Sequence, residues 1–368
     1  MDNYKYLKVF YNNKFVGTLA KTLDRLVAFE YDNDWLVTGF SISPFSLPLQ
    51  KKVYLPKFEP FEGLFGVFND SLPDGWGRLL VDRLLLKNKI NPSEIDNLNR
   101  LAVVQESGIG ALTYKPEHRF ETPQEESDYD KLAQECSKIL ESQSSDNLDE
   151  LFKLGGSSGG ARPKILTKIN GEDWIIKFPS SQDPKNIGEQ EYKYSLVAKD
   201  CGIKMSETRL FESKNCSGYF GIKRFDRENG KKVHMVSVSG LLETSHRLPN
   251  LDYNILMKLT LELTKNYQDI EQLYRLMCFN VFAHNRDDHS KNFSFLYDEN
   301  KKEWHLSPAY DLTYSSSFNG EHATTINGEG KNPTIEHLLA VSKNIGIKEK
   351  QAREVALDIK EKCLSLFD

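Results

Sequence analysis

Three polar residues in the last third of the sequence place the strongest constraint on the chemistry that this chain can perform. Asp287 and Asn292 lie five positions apart, and Asp311 follows them after one predicted strand. A carboxylate that orients a hydroxyl group, with an amide and a second carboxylate as oxygen ligands for Mg²⁺, is the set of groups that phosphoryl transfer requires. The alternative interpretation is a polar helix-to-strand turn in which these side chains are structural. Because Asp288 lies next to Asp287, the sequence alone leaves open which of the two aspartates would act as the base on the hydroxyl group.

The composition describes an ordinary globular protein and disfavours several classes of function. The chain has 368 residues, of which 39% are hydrophobic and 27% charged, and this length predicts two or three domains with their own cores. Its net charge of −5 provides no overall attraction to nucleic acid or to membranes. Five scattered cysteines without a CxxC pair argue against a disulfide framework or a zinc site. Because no apolar run approaches the roughly 20 residues of a membrane span, we expect a cytoplasmic protein without a membrane partner.

The order of predicted elements indicates an α+β fold in four parts. The first part consists mostly of short strands, the second is a polar linker with a surface helix, the third alternates loop, strand, helix and strand, and the fourth is helical. The predicted boundaries are 1–115, 116–150, 151–240 and 241–368.

Two predictions within these parts are specific enough to be tested. The first part opens with a hairpin that turns at Asn12-Asn13, and it also includes Trp35-Leu-Val37 as a predicted strand. The acidic second part has one helical stretch near 129–141, which we predict to lie outside the core.

A glycine-rich loop and a lysine at a strand end are the expected phosphate ligands. Glycines in the loop 155–164 allow backbone amides to approach a phosphate closely, and Lys164 adds a positive charge. Lys177 ends the predicted apolar strand 174–177, as the phosphate-binding lysine of protein kinases does. The alternatives are a flexible linker for the loop and a solvated side chain for the lysine.

Two further segments fit the same arrangement. The predicted helix 187–199 offers Glu189 and Glu191 as partners for Lys177, and we favour Glu191 because it begins an inward face of the helix. The segment Val236-Ser237-Val238 precedes the helical part, so we predict a hinge there whose backbone contacts an adenine ring.

Taken in order, these segments resemble the HipA family of kinases, which are the toxin halves of bacterial toxin–antitoxin modules. The resemblance covers nearly the whole chain, and its most specific parts are the DHSKNFS and FDR sequences. The matching segments are Ser43–Leu49, Phe68–Arg78, Gly108–Leu112, Ser157–Lys164, Ile176–Lys177, Arg224–Arg227, Asp287–Ser294 and Ser307–Asp311.

The resemblance implies a two-lobed, protein-kinase-like α+β fold with an extra N-terminal β-rich subdomain and a helical C-lobe. It further implies a serine/threonine protein kinase that uses ATP and Mg²⁺, with Asp287 as the catalytic base and with Asn292 and Asp311 as metal ligands. The implied ATP-binding residues are Gly159, Gly160, Ala161, Lys164, Lys177, Val236, Ser237, Val238, His289, Asn292, Tyr310 and Asp311. In the family a serine that opens the loop is phosphorylated by the kinase itself, which inactivates it. Ser157 matches that position, and Ser158 is the neighbouring candidate.

The resemblance also implies partners. They are a helix-turn-helix antitoxin of the HipB type, a protein substrate such as an aminoacyl-tRNA synthetase, and DNA contacted only through the antitoxin. Two other functions stay open. A small-molecule phosphotransferase would share the chemistry, although the N-terminal subdomain disfavours it. A kinase-like corepressor that binds nucleotide without catalysis is disfavoured because Asp287, Asn292, Asp311 and Lys177 are all present.

Overall fold

The computed structural model describes residues 4–104, 108–118, 128–143, 145, 147–156 and 158–367. The strands are β1 (Tyr6–Tyr11), β2 (Lys14–Lys21), β3 (Val27–Tyr31), β4 (Val53–Tyr54), β5 (Leu112–Lys115), β6 (Lys164–Ile169), β7 (Glu172–Lys177), β8 (Thr208–Phe211), β9 (Tyr219–Lys223), β10 (Arg227–Glu228), β11 (Lys231–Lys232), β12 (His234–Ser237), β13 (Leu251–Asp252), β14 (Ser294–Asp298), β15 (Glu303–Leu306) and β16 (Thr324–Thr325). The helices are α1 (Asn33–Thr38), α2 (Gly66–Asn69), α3 (Gly75–Lys87), α4 (Asn97–Leu101), α5 (Tyr129–Leu140), α6 (Leu148–Gly155), α7 (Ile187–Asp200), α8 (Val238–Leu242), α9 (Tyr253–Thr264), α10 (Tyr267–Phe282), α11 (Ile335–Asn344) and α12 (Glu349–Cys363).

The chain divides into two compact units. The first unit contains both larger sheets, and the second contains the C-terminal helices together with α7 beyond its first two residues. The first comprises Met1–Gly188, Arg209–Val236 and Gly240–Thr244, and the second comprises Glu189–Thr208, Ser237–Ser239 and Ser245–Asp368.

The first unit begins with an antiparallel sheet in the order β4-β3-β2-β1-β5. The β1–β2 hairpin is confirmed, and both turn residues, Asn12 and Asn13, have positive φ angles of 43° and 68°. Asparagine tolerates this conformation better than most residues, and a turn of this kind matches the twist of the flanking strands. Alternate residues of β1 are buried, so this sheet has one face in a core.

The predicted strand at Trp35–Val37 is wrong, because these residues form α1. The carboxylate of Asp32 accepts a hydrogen bond from the Asp34 amide at 2.9 Å and caps the helix. Trp35 is buried, and its indole N–H donates to the carbonyl of Phe40 at 2.9 Å. The local capping contact and this tertiary bond together outweigh the strand preference of Trp, Leu and Val.

The second sheet of the first unit has the order β6-β7-β9-β8 and packs with helices α3, α5 and α6. The helix near 129–141 is present as α5, but the prediction that it lies outside the core is wrong. Leu132, Cys136 and Ile139 are buried in one hydrophobic cluster with residues of α3 and α6. Their spacing of four and three residues puts them on one helix face. The acidic sequence around them masked this stripe. Part of the predicted loop after residue 150 is also helical, since α6 continues to Gly155.

A buried ion cluster connects the segment before β5 to the end of β9. Arg224 donates to both oxygens of Asp226 at 2.8 and 2.7 Å, and Arg227 donates to the same carboxylate at 3.0 Å. The two guanidinium groups also bond the carbonyl of Gly108, and the Gly110 amide donates to Asp226 at 2.8 Å. Burial alone would raise the pKa of Asp226, but the charge and hydrogen bonds of Arg224, followed by Arg227, lower it to about 2.

The second unit is mainly helical, with α10 in its core between α9, α11 and α12. Strands β14 and β15 form an antiparallel hairpin, and β13 pairs in parallel with β16. The predicted α+β fold with a strand-rich start and a helical C-terminal part is therefore confirmed. Over the described ranges, we find no helix with the length and apolar character that crossing a bilayer requires.

Candidate active site

The segment that follows α10 holds Asp287 in a defined but accessible position. A short 3₁₀ turn at Ser290–Asn292 brings the Asn292 side chain back to the carbonyl of Asp287, to which it donates at 2.6 Å. The Asp287 side chain is 63% exposed. His289 Nδ1 accepts the Lys291 amide at 3.2 Å, which places the ring proton on Nε2, and Nε2 lies 3.9 Å from Asp287 Oδ1. Asp287, His289 and Asn292 therefore lie together, as their spacing predicts.

Asp288 has the opposite environment. Its side chain is fully buried, and its carboxylate accepts hydrogen bonds from Tyr253 at 2.9 Å, from His322 at 3.0 Å and from the Thr324 amide at 3.2 Å. A carboxylate committed to three buried donors is not accessible to a substrate hydroxyl group. The two neighbouring aspartates, which the sequence does not distinguish, thus differ sharply in accessibility.

Tyr310 and Asp311 follow β15. The Tyr310 hydroxyl donates to the carbonyl of Lys291 at 2.6 Å and lies 2.6 Å from the Ser294 hydroxyl. This ties the chain before Asp311 to the segment that carries Asn292. Asp311 has a φ of 54°, a left-handed conformation that is uncommon outside glycine and that recurs at functional positions.

The donor chemistry of this segment suits a hard cation. The side-chain N–H of Asn292 donates to the Asp287 carbonyl, so the side-chain oxygen of Asn292 is the atom that can act as a metal ligand. Asp311 supplies a half-buried carboxylate. In the part of the chain that the structure describes, no three His, Cys, Asp or Glu residues cluster as a metal site. Mg²⁺ is usually bound by one or two protein oxygens, and water and phosphate take its remaining positions. The oxygen donors of Asn292 and Asp311 are therefore of the kind that Mg²⁺ takes.

In the first unit, the glycine-rich loop is docked on the start of α3. The Trp76 amide donates to the Gly160 carbonyl at 2.9 Å, and the Gly160 amide donates to the carboxylate of Asp74. Gly75 has a φ of 45°, and a Cβ atom there would lie 2.4 Å from the Gly160 carbonyl oxygen. At Gly77 a Cβ atom would lie 2.1 Å from the Ser158 carbonyl oxygen. The DGWG sequence at 74–77 is therefore a platform whose glycines permit this close approach.

The candidate loop serines differ in what can be described. Ser157 lies outside the described residues. Ser158 is buried, and its hydroxyl donates to the carbonyl of Gly155 at 2.5 Å. The Gly159 carbonyl accepts a hydrogen bond from the Lys164 ammonium group at 2.6 Å. Ala161, the last of the small loop residues, is exposed.

Lys164 and Lys177 are direct cross-strand partners at the loop end of β6 and β7. Residues that face each other across a ladder share one face of the sheet, and like charges in such positions are unfavourable without a neighbouring anion. Lys164 is buried, while the Lys177 ammonium group lies 5.5 Å from the centroid of the Phe220 ring. This pair of cations and the adjoining glycine amides fit a phosphate-bearing ligand. As the loop lies here, such a ligand would have to displace Asp74 from the Gly160 amide.

The remaining predicted residues are positioned as follows. Glu191 is buried on α7, on the same helix as Tyr194, whose hydroxyl donates to the Ala283 carbonyl at 2.8 Å. Glu191 belongs to the second unit and Lys177 to the first, so their pairing stays a prediction. Val236 and Ser237 end β12 and Val238 begins α8; all three are buried. The Val238 amide donates to the Phe293 carbonyl at 2.9 Å, so that N–H group is engaged within the protein.

Sequence reasoning missed two contributors. The ring of His246 packs on that of His289 with centroids 5.3 Å apart, although 43 residues separate them and no motif includes His246. Asp74 lies inside a matching segment, but its bond to the loop depends on a contact across 86 residues. Neither role leaves a local signal in the sequence.

Comparison with known protein families shows to which family this chain belongs. A family model described as the HipA-like C-terminal domain matches residues 156–367, which is more than half of the chain. The chain belongs to the HipA family. A second model, the HipA N-terminal domain, matches residues 7–115. The resemblance inferred from the motifs is therefore confirmed.

Individual relatives of this HipA-family chain are distant. A Sinorhizobium fredii protein named "Putative kinase Y4dM" is 28% identical over 191 residues, which is 48% of this chain and 45% of that protein. A Haemophilus influenzae protein named "Putative kinase" is 25% identical over 187 residues, or 45% of this chain and 54% of that protein. The chain thus spans about half the length of these relatives. The HipA of Shewanella oneidensis MR-1, solved with HipB and operator DNA, has the same fold, with a TM-score of 0.71 and 18% identity over 98% of this chain and 90% of that one.

Proposed function

We propose that this protein is an ATP- and Mg²⁺-dependent serine/threonine protein kinase that acts as the toxin of a toxin–antitoxin pair. The observation that carries the proposal is the accessible Asp287, whose carbonyl is held by the Asn292 amide at 2.6 Å. An accessible carboxylate can orient a substrate hydroxyl group and accept its proton as the γ-phosphoryl group moves from ATP to the oxygen and ADP leaves. The burial of Asp288 supports Asp287 as this base.

The other residues take roles that follow from their donors. Asn292 and Asp311 would hold Mg²⁺, which when bound neutralises charge on the phosphates. Lys177 and Lys164, with the amides of Gly159, Gly160 and Ala161, would bind the phosphates. The nucleoside would be contacted by His289, Tyr310 and the segment 236–238. Glu191 would pair with Lys177 and keep its ammonium group in place.

The expected partners follow from family membership. The HipA of Shewanella oneidensis was solved with HipB and operator DNA. By analogy, this chain would bind a helix-turn-helix antitoxin of the HipB type and contact DNA only through it. Its protein substrate would be a translation component, such as an aminoacyl-tRNA synthetase, in the cytoplasm.

The direct test is transfer of label from γ-labelled ATP in the presence of Mg²⁺. The purified protein should label itself and a protein in a cell extract, and phosphoproteomics after induction would identify that substrate by comparison with Asp287→Ala. Label found only in a small molecule would instead support the phosphotransferase. ATP binding without any transfer would support the corepressor module.

We expect autophosphorylation in the glycine-rich loop, on Ser157 rather than Ser158. The Ser158 hydroxyl is buried and bonded to the Gly155 carbonyl, so this serine is inaccessible while the loop is docked. A phosphoserine adds about −1.5 to −2 charge at pH 7, which would repel the phosphates of ATP and inactivate the enzyme. Mass spectrometry of the loop peptide should show a phosphate that Ser157→Ala removes and Ser158→Ala retains. Phosphate found only on Ser158 would contradict this order.

We expect Lys177→Ala to weaken ATP binding about tenfold to a hundredfold, because a charged phosphate ligand contributes about 1.5–3 kcal/mol. Isothermal titration with an ATP analogue measures the change. Lys168→Ala, at an exposed position of β6, is the matched control and should bind normally. Unchanged affinity and unchanged turnover in Lys177→Ala would leave Lys164 as the phosphate ligand.

A further inference from the structure

Two residues outside the proposed catalytic set, Ala323 and Thr324, bond to the chain on either side of Asp287. Thr324 donates its amide to the Asp288 carboxylate at 3.2 Å and its hydroxyl to the Asp288 carbonyl at 2.5 Å. One residue earlier, the Ala323 amide donates to the Arg286 carbonyl at 3.0 Å. The residues on both sides of Asp287 are therefore bonded to segment 323–324, which includes the start of β16.

The Asp288 carboxylate extends this contact into the core of the second unit. One of its oxygens accepts both His322 and the Tyr253 hydroxyl. Tyr253 in turn accepts the Asn280 side-chain amide at 2.9 Å, which fixes the direction of its own proton toward Asp288. These four side chains are at most 3% exposed. Buried networks whose groups are all bonded have few alternative arrangements, so they hold a backbone in one conformation.

The network acts on Asp287 through the backbone that leads into Asp288. The Asp288 side chain is 0% exposed and the Asp287 side chain 63% exposed. Because the Asp288 side chain and carbonyl are both held, the backbone that leads directly from Asp287 into Asp288 has little freedom, and this restricts where the exposed Asp287 side chain can point. A misplacement of about 1 Å at a catalytic group can cost on the order of a hundredfold in rate.

We propose that Asp288, His322 and Thr324 are positioning residues that hold Asp287 in its productive orientation. The proposal rests on Asp287 being the base of the proposed kinase. It assigns a role to the segment 322–324, which lies outside the motifs identified in the sequence, and it makes that segment a determinant of turnover without contact to ATP or substrate.

The test uses Thr324→Val, which removes one hydroxyl group and keeps the side-chain shape. We expect kcat to fall about ten- to a hundredfold while KM for ATP changes less than twofold. Thr324→Ser keeps the hydroxyl group and should restore kcat. Thr260→Val is the matched control, since Thr260 is equally buried and its hydroxyl bonds the Leu256 carbonyl within α9. This control should turn over normally.

Two further measurements separate positioning from general destabilisation. In an Asp287→Ala background, Thr324→Val should cause no additional loss of the residual rate, because its effect passes through Asp287. Equal losses in both backgrounds, or an unchanged kcat in Thr324→Val, would overturn the proposal. Hydrogen exchange of the peptide covering 284–292 should be faster in Thr324→Val than in Thr260→Val. The exchange measurement does not depend on activity, so it tests whether the network holds this segment even if the wild type transfers no phosphate. Unchanged exchange in Thr324→Val would then reject the positioning role.

Discussion

Replacing Asp287 or Asp311 with alanine is expected to abolish phosphoryl transfer, with losses on the order of 10²–10³-fold or more. Asp287→Ala would remove the group that we propose to orient the attacking hydroxyl. Asp311→Ala would remove a proposed ligand of the Mg²⁺ that is expected to neutralise charge on the transferring group. Single-turnover assays with γ-labelled ATP would measure both variants, and expression of either should no longer arrest growth.

A matched control is available in the same part of the chain. Asp298 ends β14, where its carboxylate accepts the Asn300 and Lys301 amides at 2.9 and 3.1 Å and forms a loose ion pair with Lys301 at 4.0 Å. These contacts stay within the turn between β14 and β15, so Asp298→Ala should keep nearly full activity. ATP binding should persist in Asp287→Ala, because Asp287 is proposed to act on the substrate hydroxyl group and not as a nucleotide ligand. Near-normal transfer by Asp287→Ala would remove this residue from the proposed mechanism.

The largest expected effect on stability comes from Asp226→Asn in the first unit. The carboxylate is buried between the buried Arg224 and the largely buried Arg227, and its neutralisation would remove the carboxylate that both guanidinium groups contact directly. Removing one partner of a buried ion pair costs about 3–5 kcal/mol. Urea unfolding, followed by a probe in the first unit, should show this loss.

The control for this prediction is an exposed pair on the same sheet. Lys223 and Glu172 form a salt bridge, with side chains 35% and 44% exposed, and Glu172→Gln should cost less than about 1 kcal/mol. The pKa of Asp226 is lowered to about 2, below its ordinary value of 3.8, so its contribution should be complete above about pH 4 and disappear as the pH falls toward 2. If Asp226→Asn were as stable as Glu172→Gln, the cluster would not hold the segment at Gly108–Gly110.

Several elements could be predicted from the sequence because their causes are local. The β1–β2 hairpin follows from two asparagines between alternating apolar residues, and β7 follows from an apolar run that ends at Lys177. The contact between Asn292 and Asp287 spans five residues and needs only one 3₁₀ turn. Such interactions form between neighbours in the chain, so the pattern of residue types is sufficient to indicate them.

Two elements differ from the prediction because their state depends on tertiary contacts and not on neighbours in the chain. The residues at Trp35–Val37 prefer a strand locally, whereas the burial of Trp35 and its bond to the Phe40 carbonyl arise only in the folded unit. The sequence of helix α5 indicates a solvated segment, because its apolar stripe of Leu132, Cys136 and Ile139 is narrow within an acidic sequence. Only the presence of α3 and α6 makes that stripe part of a core.

The sequence by itself determined the family and the α+β class, and it provided the residues that we propose for phosphoryl transfer, because motif spacing is a property of the chain. Only the tertiary structure distinguished Asp287, whose side chain is accessible, from Asp288, whose side chain is buried. Identical side chains one position apart acquired different environments from Tyr253, 35 residues before Asp288, and from His322 and Thr324, 34 and 36 residues after it. Burial and hydrogen bonding depend on which groups the fold brings together, and no local pattern encodes that choice.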